Sequence, residues 1–280
     1  MDNLEGVFNN IANTAKKNIK KEESDYMQNG LLYCGKCHTP KQCEVEVFGK
    51  KRTPMCLCKC EIEKAKKEKE ETEHRKFLEK VKRNRKMGFP ESDMTSWTFA
   101  NDDLANERIT KAMRRYVDNF PDLYKKGKGL LLYGPVGTGK TFFACEVANA
   151  LIDKGYPVMV TNFARLTNII QESFEDRQKY IDSLNDFKLL VIDDLGAERK
   201  SEYMQEMVFN IVDSRYRAGL PFIITTNLTI SEIKEPTDIG NSRIYDRILE
   251  RCFPIQVAGS SRRRKAVKED YHSMKDLLGL

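Results

Sequence analysis

Residues 129–141 of the chain read GLLLYGPVGTGKT, a short apolar run followed by a glycine-rich loop that ends in lysine and threonine. The loop fits the pattern G-x-x-x-x-G-K-S/T, and the flanking residues predict a strand before it and a helix after it. Its eight residues are Gly134, Pro135, Val136, Gly137, Thr138, Gly139, Lys140 and Thr141. A glycine turn that merely joins a strand to a helix is the alternative, but the Lys-Thr ending and both flanks favour a phosphate-binding loop.

Each part of this loop has a chemical use. Glycines let backbone N–H groups turn inward around phosphates, and the helix N-terminus adds partial positive charge. Lys140 is expected to reach the β- and γ-phosphates, and the Thr141 hydroxyl is expected to bind Mg²⁺. The segment therefore predicts an ATP site.

A second apolar run, residues 189–192, ends in the paired carboxylates Asp193 and Asp194. Ligands of open parallel sheets bind at the carboxyl ends of the strands, which is where this pair is predicted to lie. We expect Asp193 to hold Mg²⁺ and Asp194 to polarise the attacking water. A helix N-cap pair is the alternative, because aspartate is also a good cap.

Three further polar segments follow. Asn227 comes directly after the apolar run 222–226 and is placed to orient a water, although asparagine at a strand end is often only a turn former. Residues 242–247 and 261–265 are rich in arginine. Arginine close to a transferring phosphate stabilises the charge that develops there, but surface arginines are common.

Short apolar runs alternate with helical patterns from Gly127 onward, which favours an α/β fold with a parallel sheet covered on both faces. Before this region, residues 61–88 alternate Lys or Arg with Glu and predict a solvated helix. We therefore divide the chain into 1–60, a partner-binding region, then 61–88, a charged helical linker, and 89–280, the ATPase domain.

Composition limits the class of protein. With 280 residues, 40% of them hydrophobic and 32% charged, the chain is globular, and its net charge of +6 is clustered, which fits either a polyanionic partner or a solvated face. We see no signal peptide and no apolar run long enough to span a bilayer, so we expect a cytoplasmic protein with no membrane partner.

Six of the eight cysteines lie between residues 31 and 60. Two pairs about twenty residues apart suit a tetrahedral Zn²⁺ site. Cys34 and Cys37 form one half, and the other half comes from Cys56, Cys58 and Cys60. Unligated thiols are the alternative, but so small a segment with few apolar residues needs a stabilising ion to fold.

With these motifs in hand, the chain resembles the AAA+ ATPases, and among them the DnaC/DnaI-type replicative helicase loaders and the IstB transposition helpers. The resemblance covers about Pro90 to Arg264, with the stretch from Asp193 to Glu198 pointing to loaders, and its cysteine pattern covers about Leu31 to Lys64. It implies an N-terminal zinc knuckle at about 31–60 with Cys58 and Cys60 as the second ligand pair.

The resemblance also implies roles for single residues. Lys140 and Thr141 match Walker A, Asp193 and Asp194 match Walker B, and Asn227 matches sensor 1. Arg247 matches the arginine finger that acts on a neighbouring subunit's nucleotide. Arg263 matches sensor 2, although Arg262 and Arg264 are adjacent. The second Walker B acid is Asp194 rather than glutamate, which suits slow hydrolysis.

The implied activity is ATP-dependent loading of a hexameric replicative helicase onto single-stranded DNA, with self-association in the ATP state. An IstB-type transposition helper is the alternative, and a non-hydrolysing ATP-binding adaptor is another.

Overall fold

The computed structural model describes residues 21–47, 49–89, 91, 93–172, 176–196 and 202–262, together with residues 271, 274, 275, 277 and 278. The chain divides into two compact units, Met1–Phe77 and Leu78–Leu280. Among the helices of the described ranges, none is long and apolar enough to cross a membrane.

The first unit contains two antiparallel hairpins. Strand β1 (Tyr26–Gln28) pairs with β2 (Leu31–Tyr33), and β3 (Val45–Val47) pairs with β4 (Lys50–Arg52). These strands bury little apolar surface, since Leu32 is their one fully buried hydrophobic side chain in the described residues. Other interactions must therefore hold this unit together.

Helix α1 (Lys59–Gly88) follows the hairpins and covers the predicted charged linker. Its exposed faces carry Lys–Glu pairs spaced four residues apart, namely Lys64–Glu68, Lys66–Glu70 and Lys69–Glu73. Such pairs stabilise an exposed helix by about 0.3–0.5 kcal/mol each. The sequence keeps this helix uninterrupted because it has neither glycine nor proline before Gly88.

The second unit is an α/β domain. Its elements are α2 (Glu107–Asp118), α3 (Phe120–Lys125), β5 (Gly129–Tyr133), α4 (Lys140–Asp153), β6 (Val158–Asn162), α5 (Phe163–Glu172), α6 (Arg177–Ser183), β7 (Leu189–Leu195), α7 (Glu202–Arg217), β8 (Phe222–Thr226), α8 (Ile230–Lys234), α9 (Ile239–Arg251) and β9 (Cys252–Gln256).

The five strands of this unit form one parallel sheet in the order β6–β7–β8–β5–β9. Strand β5 carries the predicted phosphate loop and lies between β8 and β9, with β7 beyond β8. Because all strands run in one direction, the ends of β5, β7 and β8 lie at the same edge of the sheet. The predicted parallel α/β fold is confirmed.

Side chains of alternate residues point to opposite faces of the sheet. Leu130 and Leu132 pack with α2 and α4 on one face, whereas Leu131 packs with α5, α7 and α9 on the other. Burying each such side chain contributes about 1.5–3 kcal/mol. Both faces are covered, which explains why the strands read as continuous apolar runs.

Candidate nucleotide-binding site

The loop between β5 and α4 depends on glycine at two points. Gly137 has φ +83°, and a Cβ atom there would lie 2.2 Å from Oγ of Ser261. Gly139 precedes the first residue of α4 and has φ +97°, which turns the loop into the helix. Other residues adopt positive φ only at a cost, so the sequence pattern and the loop conformation agree.

Lys140 is buried at the start of α4. Its Nζ donates hydrogen bonds to the carbonyl oxygens of Gly134 at 2.9 Å and Pro135 at 2.8 Å. It also donates to Oδ1 of Asn227 at 2.7 Å. The lysine thus brings its ammonium group to the loop and links the loop to the residue that follows β8.

Thr141 and Asp193 meet beside this lysine. The Thr141 hydroxyl donates to both carboxylate oxygens of Asp193, at 2.8 and 3.1 Å, and the Thr225 hydroxyl donates to the same carboxylate. Burial raises the pKa of the Asp193 carboxyl, while these two hydrogen bonds act in the opposite direction. A hydroxyl and a carboxylate side by side are the oxygen ligands that Mg²⁺ takes in proteins.

Asp194 has an uncommon backbone conformation. Its φ is +57°, at a bulge in β7 between Ile192 and Leu195, and its N–H donates to Oγ1 of Thr225 at 3.0 Å. Left-handed conformations at residues other than glycine cost on the order of 1–3 kcal/mol and cluster at functional sites. The bulge leaves the Asp194 side chain exposed on the same cavity as Lys140.

A cavity of about 510 Å³ extends along the phosphate loop. Its lining residues are Trp97, Val136, Gly137, Gly139, Lys140, Thr141, Phe142, Asp194, Asn227 and Arg262. This volume lies in the range of small-molecule and cofactor sites. The sequence predicted seven of these ten residues and left Arg262 open as an alternative to Arg263 for sensor 2, but it did not predict Trp97 or Phe142.

Trp97, Phe142 and Arg262 form one wall of the cavity. The rings of Trp97 and Phe142 have their centres 6.0 Å apart, and the Arg262 guanidinium lies 5.6 Å from the centre of the Phe142 ring. An aromatic and cationic wall of this kind suits the flat face of a nucleotide base. The sequence held two signals for it, the chain's single tryptophan and the arginine-rich residues 261–265.

Arg262 is fixed at the cavity by several contacts. Its backbone N–H donates to the carbonyl oxygen of Gly137 at 2.9 Å, and its Nη2 lies 3.0 Å from Oδ1 of Asp103 and 3.8 Å from Oδ1 of Asp102. The neighbouring Arg263, predicted as the sensor 2 residue, lies outside the described residues.

Arg247 lies on α9 and is not among the residues that line this cavity. Its Nε donates to Oδ1 of Asp213 at 2.7 Å, and its guanidinium lies 4.7 Å from the centre of the Phe209 ring. The side chain is partly buried, whereas Arg243, one turn earlier on α9, is exposed. Arg247 is therefore held between α9 and α7 within its own chain.

In the first unit, four cysteines come together. The sulfur atoms of Cys34, Cys37, Cys58 and Cys60 all lie within 4.8 Å of one another. The Sγ atoms of Cys58 and Cys60 are 3.2 Å apart, and those of Cys34 and Cys60 are 3.6 Å apart. Four thiols in so small a volume are a donor set that suits a tetrahedral zinc ion.

The environments of these thiols differ. The pKa of the Cys37 thiol is lowered to about 5, mainly by the hydrogen bond with Thr39. Burial instead raises the pKa of the Cys58 thiol. Cys56, the alternative ligand, instead directs its sulfur to the carbonyl oxygen of Pro40 at 3.6 Å. The geometry thus groups Cys58 and Cys60, and not Cys56, with the first pair.

The site combines a phosphate loop after β5, an aspartate pair in β7 and an asparagine after β8. On a parallel sheet of this strand order, these features define a P-loop ATP-binding protein with the AAA+ fold. The family model described as "IstB-like ATP binding protein" matches residues 61–270. The chain therefore belongs to the IstB-like ATP-binding protein family.

Among curated proteins, the chain is 28% identical over 188 residues to the replicative helicase loader DnaI of Bacillus subtilis (strain 168), covering 62% of this chain and 60% of that protein. It is also 28% identical over 144 residues to the replicative helicase loader DnaC of Escherichia coli (strain K12), covering 50% of this chain and 56% of that protein. The chain thus spans less than two thirds of the length of either relative.

Solved structures with similar folds include that of DnaI, with a TM-score of 0.53 and 24% identity, covering 64% of this chain and 99% of that one. The crystal structure of the DnaC helicase loader matches with a TM-score of 0.51 and 25% identity, covering 60% of this chain and 100% of that one. These matches confirm the fold of the ATP-binding domain.

Proposed function

We propose that this protein is an ATP-dependent loader that places a replicative DNA helicase on single-stranded DNA. The observation that carries the proposal is the assembled cavity, in which Lys140, Asp194 and Asn227 meet beside Thr141 and Asp193. The relatives named as helicase loaders supply the partner, and the cysteine module before the ATP-binding domain supports the same choice.

The residues at the loop would have separate roles in binding and hydrolysing ATP. The loop N–H groups and Lys140 hold the phosphates, and Thr141 and Asp193 hold Mg²⁺, which neutralises phosphate charge when bound. Asp194 and Asn227 orient the attacking water. Aspartate is one methylene shorter than glutamate, so we expect slow hydrolysis that acts as a switch.

The wall of the cavity would hold the rest of the nucleotide. We infer that Trp97 and Phe142 face the base and that Arg262, which touches the loop at Gly137, takes the role that sequence alone assigned to Arg263. Aromatic faces accept purines by stacking without a need for hydrogen bonds.

Arg247 would act on the ATP of a neighbouring copy, so that ATP promotes self-association and hydrolysis reverses it. Arg247 does not line the ATP cavity of its own chain, which supports a role between subunits. To reach a neighbour's phosphate, Arg247 must exchange its contact with Asp213 for one across the interface.

The first unit would carry one zinc ion on Cys34, Cys37, Cys58 and Cys60. Together with the lysine-rich residues 1–30, of which 1–20 lie outside the described residues, it would bind the helicase. The basic stretches 80–86 and 262–265 would contact DNA phosphates, the second through its residues other than Arg262, which lies at the ATP cavity.

The test is a pull-down of a purified hexameric replicative helicase by the tagged full chain, with ATP, with ADP and without nucleotide. We expect capture in the ATP state that is reduced in Lys140→Ala, followed by transfer of the helicase to single-stranded DNA. No capture in any nucleotide state would overturn the loader assignment.

An ATP-dependent transposition helper is the second candidate. It is favoured by the family match and by 28% identity over 151 residues to an insertion-sequence ATP-binding protein of Sinorhizobium fredii, covering 51% of this chain and 49% of that protein. Stable binding to a transposase with no binding to helicase would favour it. An adaptor that never hydrolyses ATP is the third, and turnover that depends on Asp194 would exclude it.

A further inference from the structure

A second cavity lies away from the ATP site, on the opposite side of β5 from β8. It has a volume of about 1160 Å³ and runs between α2, α3 and the edge strand β9. We call it the β9 groove and define it by Arg108, Lys111, Arg115, Lys126, Phe253 and Ile255, which all line it. None of the residues that line the ATP cavity is part of it.

The groove is basic. Its wall on α2 presents Arg108, Lys111 and Arg115, spaced three and four residues apart and therefore on one face of the helix. Lys111 pairs with Glu107, but within the described ranges Arg108, Arg115 and Lys126 have no ion-pair partner, and all three are exposed. Lys126 lies just after α3, so the three unpaired charges come from two sides of the groove. Six basic residues line the groove, Lys128 and Arg251 included, and outnumber the three acidic ones, Glu107, Asp122 and Glu250. This excess of positive charge favours a polyanion.

The floor of the groove presents an aromatic ring to solvent. Phe253 on β9 is 70% exposed. Ile255 and Val257, two and four residues further on, belong to the core on the α2 side, so Phe253 lies on that side as well. In the part of the chain that the structure describes, no other ring stacks on Phe253. An exposed phenyl ring among arginines is typical of a surface that stacks a nucleic-acid base.

The edge strand itself is blocked against pairing with another strand. The N–H of Val257 donates to the carbonyl oxygen of Tyr133, so the N–H groups of alternate residues 253 and 255 also point toward β5. The outward position between them is Pro254, which has no N–H to donate. This arrangement disfavours a peptide that would extend the sheet and leaves the side chains as the binding elements.

We propose that the β9 groove binds a single-stranded nucleic acid, with phosphates contacting Arg108, Arg115 and Lys126 and a base stacked on Phe253. The choice of single-stranded DNA as the strand bound in the cell rests on the proposed loader function. The chemistry of the groove, positive charge beside one free aromatic face, is independent of that function. This surface differs from the two basic stretches, 80–86 and 262–265, proposed above to contact DNA.

The experiment measures fluorescence anisotropy of a labelled oligothymidylate with the full chain at several salt concentrations. Arg115→Gln should lower the magnitude of the slope of log K against log salt by about 0.7, the value for one phosphate contact to a single strand. Phe253→Leu should keep that slope and weaken binding roughly fivefold or more, because stacking is lost while apolar contact stays. Phe253→Tyr should bind like the wild type.

The control is Lys234→Gln, which removes an exposed lysine on α8, outside the groove, and should change neither quantity. Binding of a fluorescent ATP analogue should be unchanged in every variant, which shows that the variants are folded. Exposure of Arg115 and Phe253 makes folding defects small.

Three results would overturn the proposal. One is that the wild type binds the oligonucleotide and both Arg115→Gln and Phe253→Leu bind it equally well. The DNA site would then lie elsewhere, and the loader function would not be affected. Another is loss of helicase capture in Arg115→Gln with DNA binding intact, which makes the groove a protein-docking surface. The third is no oligonucleotide binding by the wild type at all. A different result separates the groove from the loader function. If Arg115→Gln and Phe253→Leu alter DNA binding as expected but the wild type captures no helicase, the groove is a nucleic-acid site and the loader function is wrong.

Discussion

Nζ of Lys140 donates a 2.7 Å hydrogen bond to Oδ1 of Asn227, which joins the first residue of α4 to the residue after β8. The two residues are far apart in the sequence, yet the parallel sheet brings the ends of β5 and β8 together. A phosphate entering the loop would therefore meet both side chains at once, so we expect binding of ATP and positioning of the water to be linked through this pair.

Lys140→Ala should abolish binding of ATP while the fold is kept. The lysine brings a full positive charge to a loop whose other groups are backbone dipoles, and a methyl group cannot replace it. Titration with a fluorescent ATP analogue measures the effect, with the exposed Lys179→Ala as the matched control. Equal affinity in Lys140→Ala and the wild type would show that the loop does not hold the phosphates.

The second prediction uses Trp97, the only tryptophan of the chain, which lines the ATP cavity. Addition of ATP should change its fluorescence, because a base placed against the ring alters its environment. Trp97→Ala should weaken nucleotide binding roughly 5-fold or more, as loss of a stacked ring does elsewhere, and Trp97→Phe should weaken it less. A signal that stays constant while the analogue binds would place the base away from Trp97.

The third prediction concerns metal content. The full chain should contain one Zn²⁺, because structural zinc sites bind with roughly 10–16 kcal/mol and survive purification. A Cys34→Ser, Cys37→Ser variant should lose the metal and much of the structure of the first unit. The matched control is Cys43→Ser, Cys56→Ser, since these sulfurs contact backbone carbonyls instead of the four-cysteine cluster. Elemental analysis decides, and equal zinc in both double variants would refute the ligand set.

The sequence alone predicts the site residues that form one contiguous motif or that follow the end of a strand. Gly134 to Thr141 form one uninterrupted motif, and Asp193 and Asn227 follow apolar runs whose ends are visible in the sequence. The positive φ of Asp194 was not predicted, since it comes from a bulge set by pairing with β8. Trp97 reaches the cavity only through packing of a distant segment, which no local pattern encodes, and no local pattern distinguished Arg262 from its two arginine neighbours.

The same limit applies to the sheet. Apolar runs gave the positions of β5 and β7. The run 129–133 coincides with β5, whereas β7 continues to Leu195, beyond the run 189–192. The order of strands depends on how the helices cross over, and thus β9 at the edge with its exposed Phe253 could not be anticipated.

A buried acid supplies the fourth prediction, on pH dependence. Glu146 on α4 is buried, and neither of its carboxylate oxygens has a hydrogen-bond partner among the described residues. Burial, with a smaller effect from Asp102, raises its pKa above the ordinary 4.5 to about 8. The folded state therefore retains a proton that the unfolded state has released, and the contribution to stability is present at low pH and lost as pH rises toward about 8.

Chemical denaturation at a series of pH values measures this effect. From about pH 5 to about pH 8 the free energy of unfolding should fall because of Glu146 by up to about 1.4 kcal/mol per pH unit. Glu146→Gln, which has the shape of the protonated acid, should remove that slope. The same slope in the variant and the wild type would assign the pH dependence to other groups.

The last prediction concerns Arg247, which Asp213 holds at 2.7 Å on the surface between α7 and α9. If it serves a neighbour's ATP, Arg247→Ala should leave the ATP affinity of the monomer nearly intact and should reduce hydrolysis and ATP-dependent assembly. Arginine fingers contribute about 10³ to 10⁵ in rate in well-studied switches, and a slow ATPase will show less. Arg243→Ala is a control for an exposed arginine on the same helix.

A mixing experiment separates action between subunits from action within one. A Lys140→Ala chain cannot bind ATP but keeps Arg247, whereas an Arg247→Ala chain binds ATP but lacks the arginine. If each active site is built from two chains, a mixture of the two variants should recover part of the ATPase activity that each has lost alone. Assembled mixtures that recover nothing would show that Arg247 acts within its own chain or only stabilises the contact of α9 with α7. Coupling of ATP to assembly through Arg247 would then be excluded, while the ATP site at Lys140 would be unaffected.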